Sequence, residues 1–173
     1  AIYKSDEHGF NNPSGLYKEG SIDIILTGDS FSEGACVRPD QTIASVLRES
    51  GLTVISLGKG GNGPLLEFAS LKEYAEPLRP KIVLWIHYAN DIDDLKWKEM
   101  ESPFLMNYFK NDNFSQNLIS RQKEIDDVLK DYVNQKYWEH KIEAEGNNIE
   151  MDQEEQIDKD NDKERSEAIE EHG

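Results

Sequence analysis

This chain of 173 residues has one cysteine, no cluster of basic residues and no long hydrophobic run. The single Cys36 excludes an internal disulfide. Without grouped Lys and Arg a nucleic-acid partner is disfavoured, because phosphate binding needs concentrated positive charge. A net charge of −16 would also be repelled by anionic membrane surfaces. The longest apolar stretches, Ile22–Leu26 and Ile82–Ile86, fall far short of the ~20 residues a membrane-spanning helix needs. There is no Gly-Lys-Ser/Thr, which excludes a phosphate-binding loop. Residues 1–20 hold no hydrophobic core of a secretory signal. That suits a chain that stays inside the cell, and equally an extracytoplasmic one whose leader is not part of this sequence.

What is present is unevenly distributed. Residues 141–173 carry a net charge of −9 and residues 1–140 a net of −7, so the front is an ordinary, mildly acidic globular sequence. A domain over 1–140 followed by an acidic tail over 141–173, helical or disordered, is the expected organisation. Ile22–Leu26 is β-branched and almost continuously apolar, as a strand buried on both faces would be. Residues 52–57 and 81–87 read as two further buried strands. A helix is expected over about 40–49, and another from Pro64 to Pro77, where proline suits the first turn. Residues 102–141 also read as helical, with Ile125, Val128, Leu129, Tyr132 and Val133 at helical spacing. Alternating strands and helices at these distances predict an α/β fold with a parallel sheet, and function in the loops beyond the strands' carboxyl ends.

Three such loops carry chemistry-bearing residues. The first is Gly28-Asp29-Ser30-Phe31-Ser32-Glu33-Gly34, which places a serine hydroxyl directly after a buried strand. The Ser30 N–H can point where an oxyanion would form. It is not a G-x-S-x-G elbow, since Ser32 stands where that motif has glycine. Taken alone, the same residues serve equally well as a turn and a helix cap. The second loop has glycine at 58, 60, 61 and 63, which lets backbone approach a ligand closely. The third ends in Asn90, whose amide can donate a hydrogen bond into the same cleft.

Together the blocks resemble the SGNH/GDSL serine hydrolases. The loop Gly28 to Gly34 is similar to the family's first block, and Ser56-Leu57-Gly58-Lys59-Gly60-Gly61-Asn62-Gly63 to its second. Ala89-Asn90-Asp91 is similar to the third, and His8-Gly9-Phe10-Asn11-Asn12-Pro13 to the loop that precedes the first strand in many bacterial members. The resemblance covers residues 8–91, about half the chain. It implies a flavodoxin-like three-layer sandwich, here a partial SGNH fold with a helical C-terminal extension. It also implies Ser30 as nucleophile, with the Ser30 N–H, the Gly61 N–H and the Asn90 side chain as oxyanion hole, and neither metal nor cofactor. The activity implied is hydrolysis or transfer of acyl or acetyl groups on lipid-linked or carbohydrate-linked esters.

Ser56 replaces the usual Asn, and Tyr88 a frequent Gly. The family's last block, an Asp-x-x-His that supplies the base and its orienting carboxylate, has no counterpart here. None of His8, His87, His140 and His172 has the right context, so the general base is unassigned. The expectation is a chain that stops before the end of the family's domain, or an activity that has decayed. The alternative is a catalytically impaired module that serves polysaccharide acetylation or binds carbohydrate or a partner. Two other patterns compete less well. Gly58-x-Gly60-x-x-Gly63 matches a dinucleotide fingerprint, but the acidic residue due about 20 positions later is misplaced. Asp158 to Asp162 begins like a calcium loop, but Lys163 and Ile169 occupy positions that need Gly and Glu. Trp97, Phe104, Tyr108 and Phe109 are suited to line an acyl or sugar pocket, with packing in a core the default expectation, and Tyr132, Tyr137 and Trp138 are expected on the packing face of one helix.

Overall fold

The computed structural model describes residues 3–141. The chain divides into two compact units, Ala1–Gln122 and Lys123–Gly173. In the first unit three strands form a parallel sheet: β1 (Ile24–Thr27), β2 (Val54–Ser56) and β3 (Ile82–Trp85), in the order β2-β1-β3. Ile25 pairs with Ile55 on one side and Val83 on the other. The pleat then sends alternate side chains to opposite faces. Ile25 and Ile55 join Phe10, Leu57, Tyr74 and Ala75 in one cluster, while Ile24, Leu26 and Val54 pack around Ala44 in another. The sheet therefore has helices on both sides, an α/β arrangement.

The strands are shorter than the apolar runs that signal them. Asp23, just before β1, bonds through its backbone to Thr53 and Ile82, and its carboxylate accepts the Thr53 N–H and pairs with Lys81. β1 and β2 are wholly buried, but β3 is not: Ile82 is 52% exposed and Trp85 38%. The expectation of a third buried strand over 81–87 is corrected. β3 is an edge strand that pairs with β1 alone among the described residues, and its apolar side chains lack a covering layer there.

The helix expected from Asp40 begins later. Residues Pro39–Gln41 form a 3-10 turn, and Thr42, extended at ψ 154°, caps α2 (Ile43–Glu49) by accepting the Ser45 N–H. α1 (Ser30–Glu33) is a single turn, and α3 (Pro64–Ser70) starts at its proline and continues through the wider turn Leu71–Ala75. α4 (Asp91–Asp94) runs on through a similar wide turn, Leu95–Glu99, and is followed by α5 (Leu105–Lys110).

Residues 111–121 are not helical, against the expectation for 102–141. The buried Glu73 carboxylate draws this segment inward, accepting from Tyr108, Ser115, the Gln116 N–H and the Leu118 N–H. Two of the four donors are the Gln116 and Leu118 backbone N–H groups, which in a continuous helix would bond to carbonyls four residues back and here bond to Glu73 instead.

The described part of the second unit, residues 123–141, is helical. Its Val128, Leu129, Tyr132, Val133, Tyr137 and Trp138 are all more than half exposed, so they are not the buried packing face that their spacing predicts. The acidic tail lies, from residue 142 on, outside the described residues. No helix among the described residues is long and apolar enough to cross a membrane.

Candidate functional site

A parallel sheet delivers the carboxyl ends of all its strands to one edge, and three loops leave this sheet there. The chain exits β1 through Gly28 at φ +148°. A Cβ at this position would lie 2.3 Å from the Ser32 Oγ and 2.7 Å from the Ile86 carbonyl oxygen, so only glycine fits. Asp29 caps α1, its side chain accepting the Phe31 N–H at 3.0 Å. Ser30 is thereby held as the first residue of a helical turn. Its hydroxyl, on a half-buried residue, makes no hydrogen bond among the described residues. Ser30 borders a cavity of about 250 Å³ whose wall is largely apolar, including Phe31, Ala35, Val37 and Ile43.

The glycine loop after β2 packs onto this turn. A Cβ on Gly58 would meet the Glu33 backbone nitrogen at 2.4 Å, and one on Gly60 would stand 3.6 Å from the Ser30 Cβ. Gly61 adopts φ +85° with open space around it. Glu33 pins the loop: Oε2 accepts the Gly60 N–H at 2.7 Å, and Oε1 accepts from Lys59 at 2.8 Å and from the Tyr3 hydroxyl at 2.6 Å. Burial alone would raise the Glu33 carboxyl, but the bonds from Lys59, Tyr3 and Gly60 outweigh it and hold it below the ordinary range.

The third loop approaches through an aromatic contact, the Phe31 and Tyr88 ring centroids lying 5.0 Å apart. Asn90 is exposed, and its amide nitrogen donates to Asp94 Oδ2 at 3.0 Å. The structure therefore sets Gly60 against Ser30 and puts Asn90 on the neighbouring loop of the same sheet edge, with its amide engaged by Asp94.

The histidines have other partners. His8 Nδ1 lies 2.5 Å from Gln122 Oε1, and its ring contacts Tyr17 and Tyr74. His87 stacks on Trp85 with Nδ1 3.4 Å from Asp91 Oδ2. His140 is on the helix of the second unit, and His172 lies outside the described residues.

Sequence reasoning missed several buried acids here. Glu67 of α3 is fully buried and accepts the Trp85 indole N–H; burial pushes its carboxyl up to about 7. Glu99, 2% exposed, accepts the N–H groups that open α3. Only the four-residue spacing of His87 and Asp91 was a readable signal. Glu67 stands twenty positions before His87, and nothing in its local pattern marks it.

The aromatic residues expected in a core separate. Tyr108 is buried, while Trp97, Phe104 and Phe109 are 73%, 52% and 71% exposed, which corrects that expectation for the three. Phe109 borders an apolar cleft of about 360 Å³ with Leu65, Phe68 and Trp85. A larger depression of about 490 Å³ opens beside Asn11, Asn12 and Arg48 and includes none of the three loops. No known protein family, curated protein or solved structure matches this chain.

Proposed function

We propose that this chain carries the nucleophile and oxyanion hole of a serine-dependent ester hydrolase of the SGNH/GDSL type, acting on acyl or acetyl esters linked to lipid or carbohydrate. On this reading the α/β unit is part of a flavodoxin-like three-layer sandwich. The observation that carries the proposal is the setting of Ser30. An unbonded hydroxyl sits at the carboxyl end of the central strand, with glycine backbone packed against it and an apolar cavity beside it. In the reaction the Ser30 oxygen attacks the ester carbonyl carbon as its proton passes to water, and the carbonyl oxygen takes on negative charge. The Ser30 and Gly61 N–H groups and the Asn90 amide stabilise that charge, Asn90 by turning away from Asp94. Collapse of that intermediate expels the alcohol, which takes up a proton, and a second water hydrolyses the acyl-serine to the acid and free Ser30. The small apolar wall suits a short acyl group.

A second reading, a module that binds O-acetylated carbohydrate or a partner without turnover, draws on a different observation. No described histidine bonds Ser30, and a serine hydroxyl without a base is a poor nucleophile. Labelling with a fluorophosphonate, alongside hydrolysis of p-nitrophenyl acetate, tests both. An oxyanion hole and binding alone leave roughly 10³–10⁴-fold acceleration over water. The hydrolase reading expects slow labelling that Ser30→Ala abolishes, while the residual p-nitrophenyl acetate turnover supplied by the oxyanion hole survives that substitution. No labelling of the wild type, or labelling that Ser30→Ala leaves unchanged, would remove it and favour the binding module.

A further inference from the structure

Three side chains that the ester-hydrolase reading does not use converge at one point: Glu67 from α3, His87 just after β3 and Asp91 at the start of α4. One donor atom from each lies within 4.8 Å of the other two. The carboxylates are buried, Glu67 at 0% and Asp91 at 2% exposure, while the His87 ring is 53% exposed. Each carboxylate uses only one oxygen within the protein. Glu67 Oε2 accepts from Trp85, and Asp91 Oδ2 accepts the Tyr88 N–H at 2.7 Å beside His87 Nδ1 at 3.4 Å. The second oxygen of each, Glu67 Oε1 and Asp91 Oδ1, is buried with no hydrogen-bond partner. Buried carboxylate oxygens are normally paired or coordinate a metal, because desolvating them without compensation is costly.

The geometry points to a binding site for one divalent transition-metal ion, held by Glu67, His87 and Asp91. Two carboxylates balance the ion's charge, and one imidazole with two oxygens is a donor set suited to zinc or a neighbouring first-row ion rather than to calcium or magnesium. Ligand bonds of about 2.0–2.1 Å in a tetrahedron hold donor atoms roughly 3.3–3.4 Å apart. The His87 Nδ1 to Asp91 Oδ2 separation of 3.4 Å is already at that value. The remaining donor separations, all within 4.8 Å, have to contract by at most about 1.4 Å to reach it. The exposed side of His87 leaves the fourth position to water. Because Asp91 follows Asn90 directly, the ion would tie α3 to the loop that carries the Asn90 amide and set that loop's position. None of this depends on Ser30 being a nucleophile.

The test is titration of metal-stripped full-length protein with Zn²⁺ by calorimetry, and with Co²⁺ by visible absorption, in the wild type, His87→Ala, Glu67→Gln and the control His140→Ala. One equivalent should bind with a tetrahedral Co²⁺ spectrum. The melting temperature should rise by several degrees at about 100 Kd of ion. His87→Ala, at an exposed position that keeps the fold, should weaken binding at least about tenfold, as loss of a metal-supporting residue typically does. Glu67→Gln should weaken it similarly, and His140→Ala should leave it unchanged. Three results would overturn the site: no saturable binding, binding that survives both ligand variants, or a Glu67→Gln protein stabilised with no metal effect in the wild type. The last would assign the buried oxygens to a shared proton.

Discussion

Replacing Glu99 by alanine should remove the cap from α3 at a cost large enough to measure directly. The Glu99 carboxylate is 2% exposed and accepts the N–H groups of Gly63 and Leu65 at 2.8 Å each, with Leu66 at 3.3 Å. These donors open a helix and have no partner within it. A hydrogen bond to a charged group contributes about 1.5–3 kcal/mol. The two short bonds together therefore account for about 3–6 kcal/mol, and the charge at a helix N-terminus adds in the same direction. Against a total stability of about 5–15 kcal/mol, the alanine variant loses from about a fifth to all of it. Glutamine keeps Oε1 for Gly63 and Leu66 but turns an amide NH₂ toward the Leu65 N–H, so Glu99→Gln should lose roughly half as much. Urea unfolding followed by tryptophan fluorescence reads both. With a slope of about 1–3 kcal/mol per molar, the midpoint should fall by roughly 2 M for alanine and 1 M for glutamine. A loss below about 1 kcal/mol for alanine, or glutamine as damaging as alanine, would refute the assignment of these donors to Glu99. Should the alanine variant fail to fold, the glutamine variant alone decides.

Glu33, held below its ordinary value of 4.5, contributes stability above that value and loses it as pH falls through its lower folded value. Glu33→Gln should therefore flatten the acid limb of the melting-temperature profile below pH 4.5; an unchanged slope would contradict the Lys59, Tyr3 and Gly60 network. Gly58→Ala must displace backbone at 2.4 Å and should prevent stable folding, whereas Gly61→Ala meets open space and should cost only about 1 kcal/mol for its positive φ. Equal thermal shifts for the two glycine variants would show that the loop is not packed on Ser32 and Glu33.

Local pattern was enough for the strand–helix alternation, the start of α3 at Pro64 and the three loops around Gly28, Gly58 and Asn90, because periodicity and turn chemistry act over a few residues. It also located Ser30 after a buried strand. It could not show that β3 is a half-exposed edge, since an apolar run reads the same whether or not another layer covers it. Nor could it show that residues 111–121 leave the helix, because the cause is Glu73, more than thirty positions away in the sequence. The buried acids make the same point. In a chain with 35 Asp and Glu, charge counting treats each as solvated surface. Only the folded structure distinguishes Glu33 on the glycine loop, Glu99 on α3 and Glu67 facing His87 and Asp91, because burial and partnership depend on elements distant in sequence that pack together.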